Sequence, residues 1–353
     1  ARAGRRDRPL RALSARDPAA SVVTGAAGFI GRALTRRLAG PGRPVIAIDR
    51  VAWNAPDGVA AHVVNDDAGL AAILAGVRVG GVFALAGGRM AQGGLAAHLI
   101  VNLVPLAGLL EAVAPAEGVR VVFASSGEVY GSAPAPFDES APAVPRTPYG
   151  LAKLACEELG LSWARSGAGR FAVARLAVVY GPGQRGDMFV PSLVRALARG
   201  ERFEMSPGEQ IRDFVYVDDV VDALLALAAT DAASGACWNV GSGSGVRLDQ
   251  VAALACAAHA ELAGTAGAAD VVRGARAYRP NEVMDYRFDS SRFRALTGWS
   301  ARVPLAQGLR RTLEWAMMEP SGRAAGGAPA PAGESATPSP EPPMTDVRTR
   351  DPR

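Results

Sequence analysis

Cysteine is scarce in this chain. The 353 residues include three, Cys156, Cys237 and Cys256, and none are spaced as paired metal ligands. An odd count of three supports no disulfide framework. The three read instead as reduced core residues of a cytoplasmic protein, and no metal site is expected. Long apolar runs are also missing: no uninterrupted stretch of about 18 apolar residues occurs, which argues against a membrane span. Charge of one sign is in small excess, with a formal net charge of +4, and much of the basic surplus lies near the N-terminus. No aromatic residues interleave those arginines, so a nucleic-acid arm is not expected. Nor does an apolar segment follow them as in a signal peptide. No internal repeat is apparent.

Both ends of the sequence are poor in core-forming residues. Residues 1 to about 19 are Arg-rich without apolar periodicity, and residues from 319 onward are rich in Pro, Gly, Ala and Ser. Such compositions bury too little apolar surface to offset chain entropy, so both are expected to be disordered tails. The body between them, with 49% apolar residues in the chain as a whole, is long enough for one large domain or two intimately joined ones.

What is present is a regular alternation. A short apolar run ending at Thr24 is followed by GAAGFIG, a helical pattern through Leu38, a stop at Gly40-Pro41-Gly42, and the strand-like VIAID of 45–49. VFALAG (82–87), VRVVFASS (119–126) and FAVARLAVVY (171–180) are further strand candidates, with helical stretches at 94–113 and 149–165 between them. Continuous apolar runs alternating with helices predict an α/β fold with a doubly wound parallel sheet, the Rossmann arrangement. After Tyr180 the rhythm changes. Helices are predicted over 188–199, to about 229, over 249–263 and over 290–317, with a short strand at 237–240. The expected organisation is a nucleotide-binding part over 20–180, a smaller substrate-binding lobe over 181–318, and a return of residues 212–240 to the larger part.

Gly25, Gly28 and Gly31 form G-x-x-G-x-x-G between a strand and a helix. A tight turn, a close backbone approach to a pyrophosphate and close helix–strand packing all require glycine there, and the helix start around Phe29 and Ile30 offers unpaired amides to phosphate. Asp49 closes the next strand, where a carboxylate accepts hydrogen bonds from the adenosine ribose. This favours NAD over NADP, although Arg50 beside it works the other way. Asp66 follows the next strand and is a candidate for the adenine amino group, or equally a loop acid.

Tyr149 and Lys153 are four apart at the start of a predicted helix, with Pro148 at its opening, so they face the same way. A phenol with a pKa near 10 is a poor base at neutral pH. A neighbouring ammonium, together with the nicotinamide charge, would lower it and let Tyr149 remove a hydroxyl proton. Ser126 ends the strand VRVVFASS, at the rim where α/β sheets place ligands, and its hydroxyl is a candidate donor to the same reacting oxygen. Taken singly, a tyrosine and a lysine four apart are a surface pair and a strand-end serine is a cap; in this order after a glycine turn they form a catalytic combination.

TGAAGFIG, ASSGEVYG, PYGLAK, YGPG and RDFVYVDDV together resemble the extended short-chain dehydrogenases, in particular the nucleotide-sugar epimerases and dehydratases, from about residue 21 to 317. The resemblance implies further roles. Asn102 matches the asparagine that supports the active-site helix and proton relay. Ala86 and Gly87 match the segment lying along the cofactor. Arg212 and Arg279 match arginines that hold the substrate's nucleotide diphosphate, a task suited to the guanidinium fork. Without the resemblance, Arg212 beside Asp213 is a surface ion pair and Arg279 a loop arginine. Asn239 fits a structural strand end. Relatives usually dimerise through two helices per subunit, which places a homodimer interface at about 94–113 and 149–165.

Two departures bear on the reaction. Val178 stands where many relatives carry an asparagine that reaches the substrate. Gly127 and Glu128 stand where 4,6-dehydratases carry Asp-Glu, so the acid for a leaving 6-hydroxyl is missing. Glu128 is either a catalytic carboxylate of the dehydratase or decarboxylase kind or a loop acid. The implied activity is epimerisation at C4 of a nucleotide sugar through a 4-keto intermediate. A 4-ketosugar reductase and a decarboxylase are the alternatives among enzymes, and a non-catalytic dinucleotide sensor is the alternative of another class.

Overall fold

Each apolar run in the first half of the chain becomes a strand covered on both faces. The computed structural model describes residues 19–89, 94–116, 118–264, 270–280 and 282–319; the expected tails at 1–18 and 320–353 lie outside the described residues. In chain order the elements are β1 (Ala20–Thr24), α1 (Phe29–Leu38), β2 (Val45–Asp49), β3 (Val59–Val63), α2 (Asp67–Leu74), β4 (Val79–Ala84), α3 (Leu95–Val113) and β5 (Arg120–Ser126). A 3₁₀ turn (Gly127–Tyr130) leads to α4 (Pro148–Arg165), β6 (Arg170–Leu176), β7 (Val178–Tyr180), α5 (Phe189–Arg199), β8 (Phe203–Met205), β9 (Ile211–Tyr216) and α6 (Val217–Ala229). The rest comprises β10 (Ala236–Val240), β11 (Gly245–Arg247), α7 (Leu248–Ala263), β12 (Val271–Arg273), β13 (Asp285–Tyr286), α8 (Ser291–Thr297) and α9 (Leu305–Met318).

Seven strands form one sheet in the order β10-β6-β5-β4-β1-β2-β3, with every neighbouring pair parallel. This is the doubly wound Rossmann sheet. Adjacent strand residues point to opposite faces, so Val22 enters one core layer and Val23 the other. Both faces need apolar side chains, which is why the strands read as unbroken runs. α1 and α6 pack together, while α3 packs between α2 and α4. Phe123 and Phe171 are fully buried and stack 6.0 Å apart, each contributing about 1.5–3 kcal/mol through burial. The strand order reverses between β1 and β4, and a ligand crevice opens at the carboxyl ends of strands at such a switch point.

Several expectations differ from the structure. The run 171–180 is not one strand: it breaks at Ala177, whose amide turns to Val240, and β7 then pairs with β9 in a second, smaller sheet that also holds β11 and β13. For the same reason residues 212–216 do not return to the large sheet; the return begins at α6 and is completed by β10. The helix predicted over 290–317 is two helices, because Gly298 ends α8 at φ +71° and Pro304 precedes α9. α3 is long and apolar enough to span a bilayer although it contains no uninterrupted apolar run. Here it lies in the helical layer of the sheet, with Asn102, Leu106, Leu109 and Leu110 buried.

Candidate active site

The glycine turn after β1 is built as a dinucleotide cradle. Gly25 has φ +67°, and a Cβ there would lie 2.7 Å from the Ala86 amide nitrogen; a Cβ on Gly31 would lie 2.1 Å from the Gly25 carbonyl oxygen. Both contacts are with backbone, which cannot step aside. α1 opens at Gly28 without a side-chain cap, so the amides of its first turn, at Phe29 and Ile30, are left for a ligand. Asp49 Oδ2 accepts from the Ala27 amide (2.8 Å) and Oδ1 from those of Arg50 and Val51 (2.7 and 3.2 Å), which fixes the carboxylate beside the turn. Bare amides at a helix start, a carboxylate at the neighbouring strand end and a backbone-lined turn suit a pyrophosphate and a ribose. Asp66 instead caps α2, accepting from the Gly69 amide at 2.7 Å. The loop after β4 completes the cradle: the Ala86 amide reaches Thr24 Oγ1 (3.3 Å), and Gly87 at φ +122° passes so close to Asn102 that a Cβ would lie 2.5 Å from its Oδ1.

Asn102 departs from the role the resemblance implies. Its side chain accepts from the Gly88 amide (3.1 Å) and donates to the Gly88 and His98 carbonyls (3.0 and 2.9 Å). Those bonds pin the loop beside the cradle to α3, and they are not made to α4.

Ser126, Tyr149 and Lys153 converge at the rim of β5. Thr147 caps α4, accepting from the Gly150 amide at 2.9 Å, and Pro148 opens the helix. Tyr149 and Lys153 follow on one face. The Ser126 hydroxyl accepts from the Glu128 amide (3.2 Å) and lies close enough to the Tyr149 phenol to lower its pKa, so it caps the turn and faces the phenol at once. Lys153, the only lysine in the sequence, is buried and donates to the Ala124 carbonyl (2.9 Å), with its Nζ 5.8 Å from the centre of the Tyr149 ring. Burial lowers its pKa to about 8, against smaller opposing effects of Cys156 and Glu157. Burial likewise raises the Tyr149 phenol above its ordinary value, opposed by the Arg89 guanidinium and the Ser126 hydrogen bond. The expectation that Lys153 lowers the phenol is therefore not met in the free protein: desolvation of both groups outweighs the ammonium.

Glu128 is engaged at both oxygens. One is ion-paired with Arg89 and the other accepts from Thr147 Oγ1 (2.7 Å). In this structure it ties the loop after β4 to the cap of α4. Tyr286, on β13, meets the same corner from the second sheet, its hydroxyl lying beside Gly127 and close enough to Ser126 to feel it. Arg212 is half-buried, ion-paired with Glu282, and stacks 5.9 Å over the Tyr286 ring; Arg279 is exposed nearby. Asp213 does not pair with Arg212. It is fully buried and accepts from the Ser242 and Gly243 amides (2.8 and 3.0 Å). A cavity of about 390 Å³ is lined by Gly241, Ser242, Arg287 and Arg294 among others and shares no residue with the Ser126–Tyr149 corner. Its walls carry no proton carrier beside a dinucleotide cradle, so the chemistry belongs to the corner.

A buried network missed in the sequence lies directly beneath. Arg175 pairs with Glu157 (2.7 Å), with side-chain exposures of 7% and 1%. Ser125 Oγ donates to Glu157 Oε1 (2.5 Å), and the Arg175 guanidinium lies 4.8 Å from the centre of the Tyr130 ring. Glu157 is one helical turn beyond Lys153, and Ser125 precedes Ser126, so the network ties α4 to β5 and β6 at the level of the site. Asn239 is structural, as expected: it accepts from Tyr130 Oη (2.7 Å) and donates to the Phe137 and Asp289 carbonyls (2.8 and 3.0 Å).

Known proteins share this arrangement. Residues 21–241 match the NAD dependent epimerase/dehydratase family. The UDP-glucose 4-epimerase of Mycolicibacterium smegmatis is 32% identical over 321 residues, 84% of this chain and 97% of its own. Among solved structures, MoeE5 in complex with UDP-glucuronic acid and NAD is 36% identical at a TM-score of 0.72, covering 84% of this chain and 98% of that one. The UDP-glucose 4-epimerase of Thermotoga maritima with UDP-glucose is 28% identical at 0.74, over 84% and 97%. A cradle that only glycine fits, a serine and tyrosine side by side at the sheet rim, and similarity over nearly the whole described body make this chain an enzyme of the NAD-dependent epimerase/dehydratase family, of the extended short-chain dehydrogenase type.

Proposed function

We propose that this enzyme interconverts C4 epimers of a UDP-linked hexose or hexuronic acid. The observation that carries the reading is the Ser126–Tyr149 contact at the carboxyl edge of β5, beside the glycine cradle. Gly25, Gly28 and Gly31 with Asp49 would hold NAD, with the ribose carboxylate favouring NAD over NADP, and Arg212 with Arg279 would meet the diphosphate of the substrate. When bound, NAD supplies reversible hydride acceptance. Ser126 holds the sugar 4-hydroxyl, and Tyr149 takes its proton and later returns one to the same oxygen. The 4-ketosugar turns within the cleft in between. Gly127 presents no acid for a leaving 6-hydroxyl, and Glu128 is engaged by Arg89 and Thr147, which favours epimerisation over dehydration or decarboxylation. The similarity to MoeE5, seen with UDP-glucuronic acid, and to UDP-glucose 4-epimerases supports the substrate class.

The test incubates purified protein separately with UDP-glucose and UDP-glucuronic acid and follows the sugar by proton NMR. A C4 epimer forming to a fixed ratio, without net change in nicotinamide absorbance, is the expected result. Stoichiometric NAD(P)H consumption, carbon dioxide release or no conversion of either sugar would replace this reading.

We further propose a homodimer built on α3 and α4. Ile100 (63% exposed), Val104 (52%) and Leu151 (42%) are large apolar side chains left on these two adjacent helices. Burying them against a second copy removes that surface from water. An Ile100→Glu/Val104→Glu variant is expected to elute as a monomer where the parent chain is a dimer by light scattering; a monomeric parent chain would end the proposal.

A further inference from the structure

Arg89 was not among the residues picked from the sequence. It follows Gly87 and Gly88 on the loop after β4, and its guanidinium carbon lies 5.5 Å from the centre of the Tyr149 ring. Glu128 holds it there through an ion pair, and Glu128 is itself held by Thr147, the cap of the helix that carries Tyr149. We propose that Arg89 is an electrostatic positioning residue for the proton transfer: its guanidinium, pinned by Glu128 against the Tyr149 ring, is a second cation, beside Lys153, that favours the phenolate while it accepts the sugar hydroxyl proton. This rests on the reading of Tyr149 as the proton carrier.

The two cations beside Tyr149 are not equivalent. Lys153 Nζ is 5.8 Å from the same ring centre, yet it is buried, donates to the Ala124 carbonyl and faces the Phe123 ring at 4.7 Å. Its pKa of about 8 means its charge is being lost across the range in which a phenolate is formed. A guanidinium keeps its proton throughout that range. Arg89 is also half exposed, so its charge is maintained by water while its face meets the ring.

The other groups facing Tyr149 do not replace it. Cys156, one helical turn beyond Lys153, opposes the phenolate; the Ser126 hydroxyl favours it; Tyr286 of β13 lies close by and has its own pKa raised by Tyr149; His98 of α3 sits edge-on at 6.4 Å. Glu128 is the carboxylate ion-paired with Arg89. The proton moves from the hydroxyl oxygen to the phenolate oxygen and returns in the second half of the cycle, so no net proton is lost and Arg89 exchanges none.

Three variants test this in the full-length protein: Arg89→Met, Arg89→Lys and Glu128→Gln. Arg89→Met is expected to move the alkaline-rising limb of the kcat/KM profile upward by about one pH unit, with roughly tenfold lower kcat at neutral pH. Arg89→Lys is expected to restore most of both, and the KM for the nucleotide sugar is expected to change less than kcat. Glu128→Gln removes the group that pins the guanidinium, so the limb is expected to move upward as in Arg89→Met, but by less. A second readout needs no turnover: tyrosinate absorbance is titrated with Tyr149→Phe as the blank, which isolates one of the six tyrosines. That midpoint is expected to rise in Arg89→Met. An unmoved midpoint and limb in Arg89→Met, a change in KM alone, or a larger upward movement in Glu128→Gln than in Arg89→Met would overturn the proposal. If Tyr149→Phe keeps parental rates, the parent reading of Tyr149 fails instead, whatever the Arg89 titration shows.

Discussion

Tyr149→Phe is expected to lower kcat by on the order of a thousandfold while leaving NAD content, thermal stability and the circular dichroism spectrum near those of the parent chain. The substitution removes the single oxygen that carries a proton between the sugar hydroxyl and the protein. The ring remains, and with it the packing against Arg89 and the edge contact with His98. The cradle of Gly25, Gly28 and Gly31 does not touch the phenol oxygen, so cofactor binding is untouched. The interaction lost is that of the phenol oxygen with the neighbouring Ser126 hydroxyl, at most about 1 kcal/mol, the net contribution of a hydrogen bond. Because burial raises the phenol above its usual range, the working phenolate is a minority form at neutral pH in the free protein. Rates in the parent chain should therefore climb as pH rises toward that pKa, and this limb should vanish in Tyr149→Phe. Steady-state kinetics across pH, beside a melting curve, decide the matter. Retention of parental kcat would assign the proton to another group.

The second large effect is on stability. Glu157→Ala is expected to cost about 3–5 kcal/mol, because it leaves the Arg175 guanidinium buried without its counter-ion. It also deprives Ser125 and Cys237 of their acceptor. In a urea titration the midpoint should fall with little change in slope, and the melting temperature should drop by roughly 10 °C. Replacing both partners, as in Glu157→Ala with Arg175→Met, should recover part of the loss, since no orphaned charge remains. Activity should fall further than folding alone dictates: Glu157 joins the turn after Lys153 to the residue before Ser126, so its loss loosens the geometry of the site. A loss under about 1 kcal/mol in Glu157→Ala would show that water or rearrangement satisfies Arg175, and that the network is not what fixes α4 to the sheet.

Much of the site could be read along the chain because its parts are local. Gly25, Gly28 and Gly31 lie within a single turn, and the reason for glycine at each is a contact a few residues away, except at Gly25, which also meets the loop after β4. Tyr149 and Lys153 share a face because a helix repeats every 3.6 residues. Parts assembled from distant segments were read less well. Glu128 looked like a candidate carrier until Arg89 and Thr147 were found on its two oxygens. The bonds of Asn102 to the loop at Gly88 were not legible in the sequence, and Asp213 seemed a surface partner of its neighbour when it is a buried cap for a loop near residue 242. Residues 171–180 read as one apolar strand because apolar character does not reveal which sheet a strand joins; Ala177 turns toward Val240, and the last three residues leave for a second sheet.

By itself, the sequence determined the class of fold, the dinucleotide turn and the pairing of a serine with a tyrosine and lysine, since periodicity, turn chemistry and strand ends are dictated by neighbours in the chain. Only the tertiary structure decided which charges meet the phenol, how Glu128 is used, that Arg175 and Glu157 form a buried pair, and that Tyr286 reaches Ser126 from the second sheet. Those contacts join segments from 18 to 160 positions apart. Coulombic and desolvation effects depend on distance and burial in space, to which spacing along a chain gives no guide.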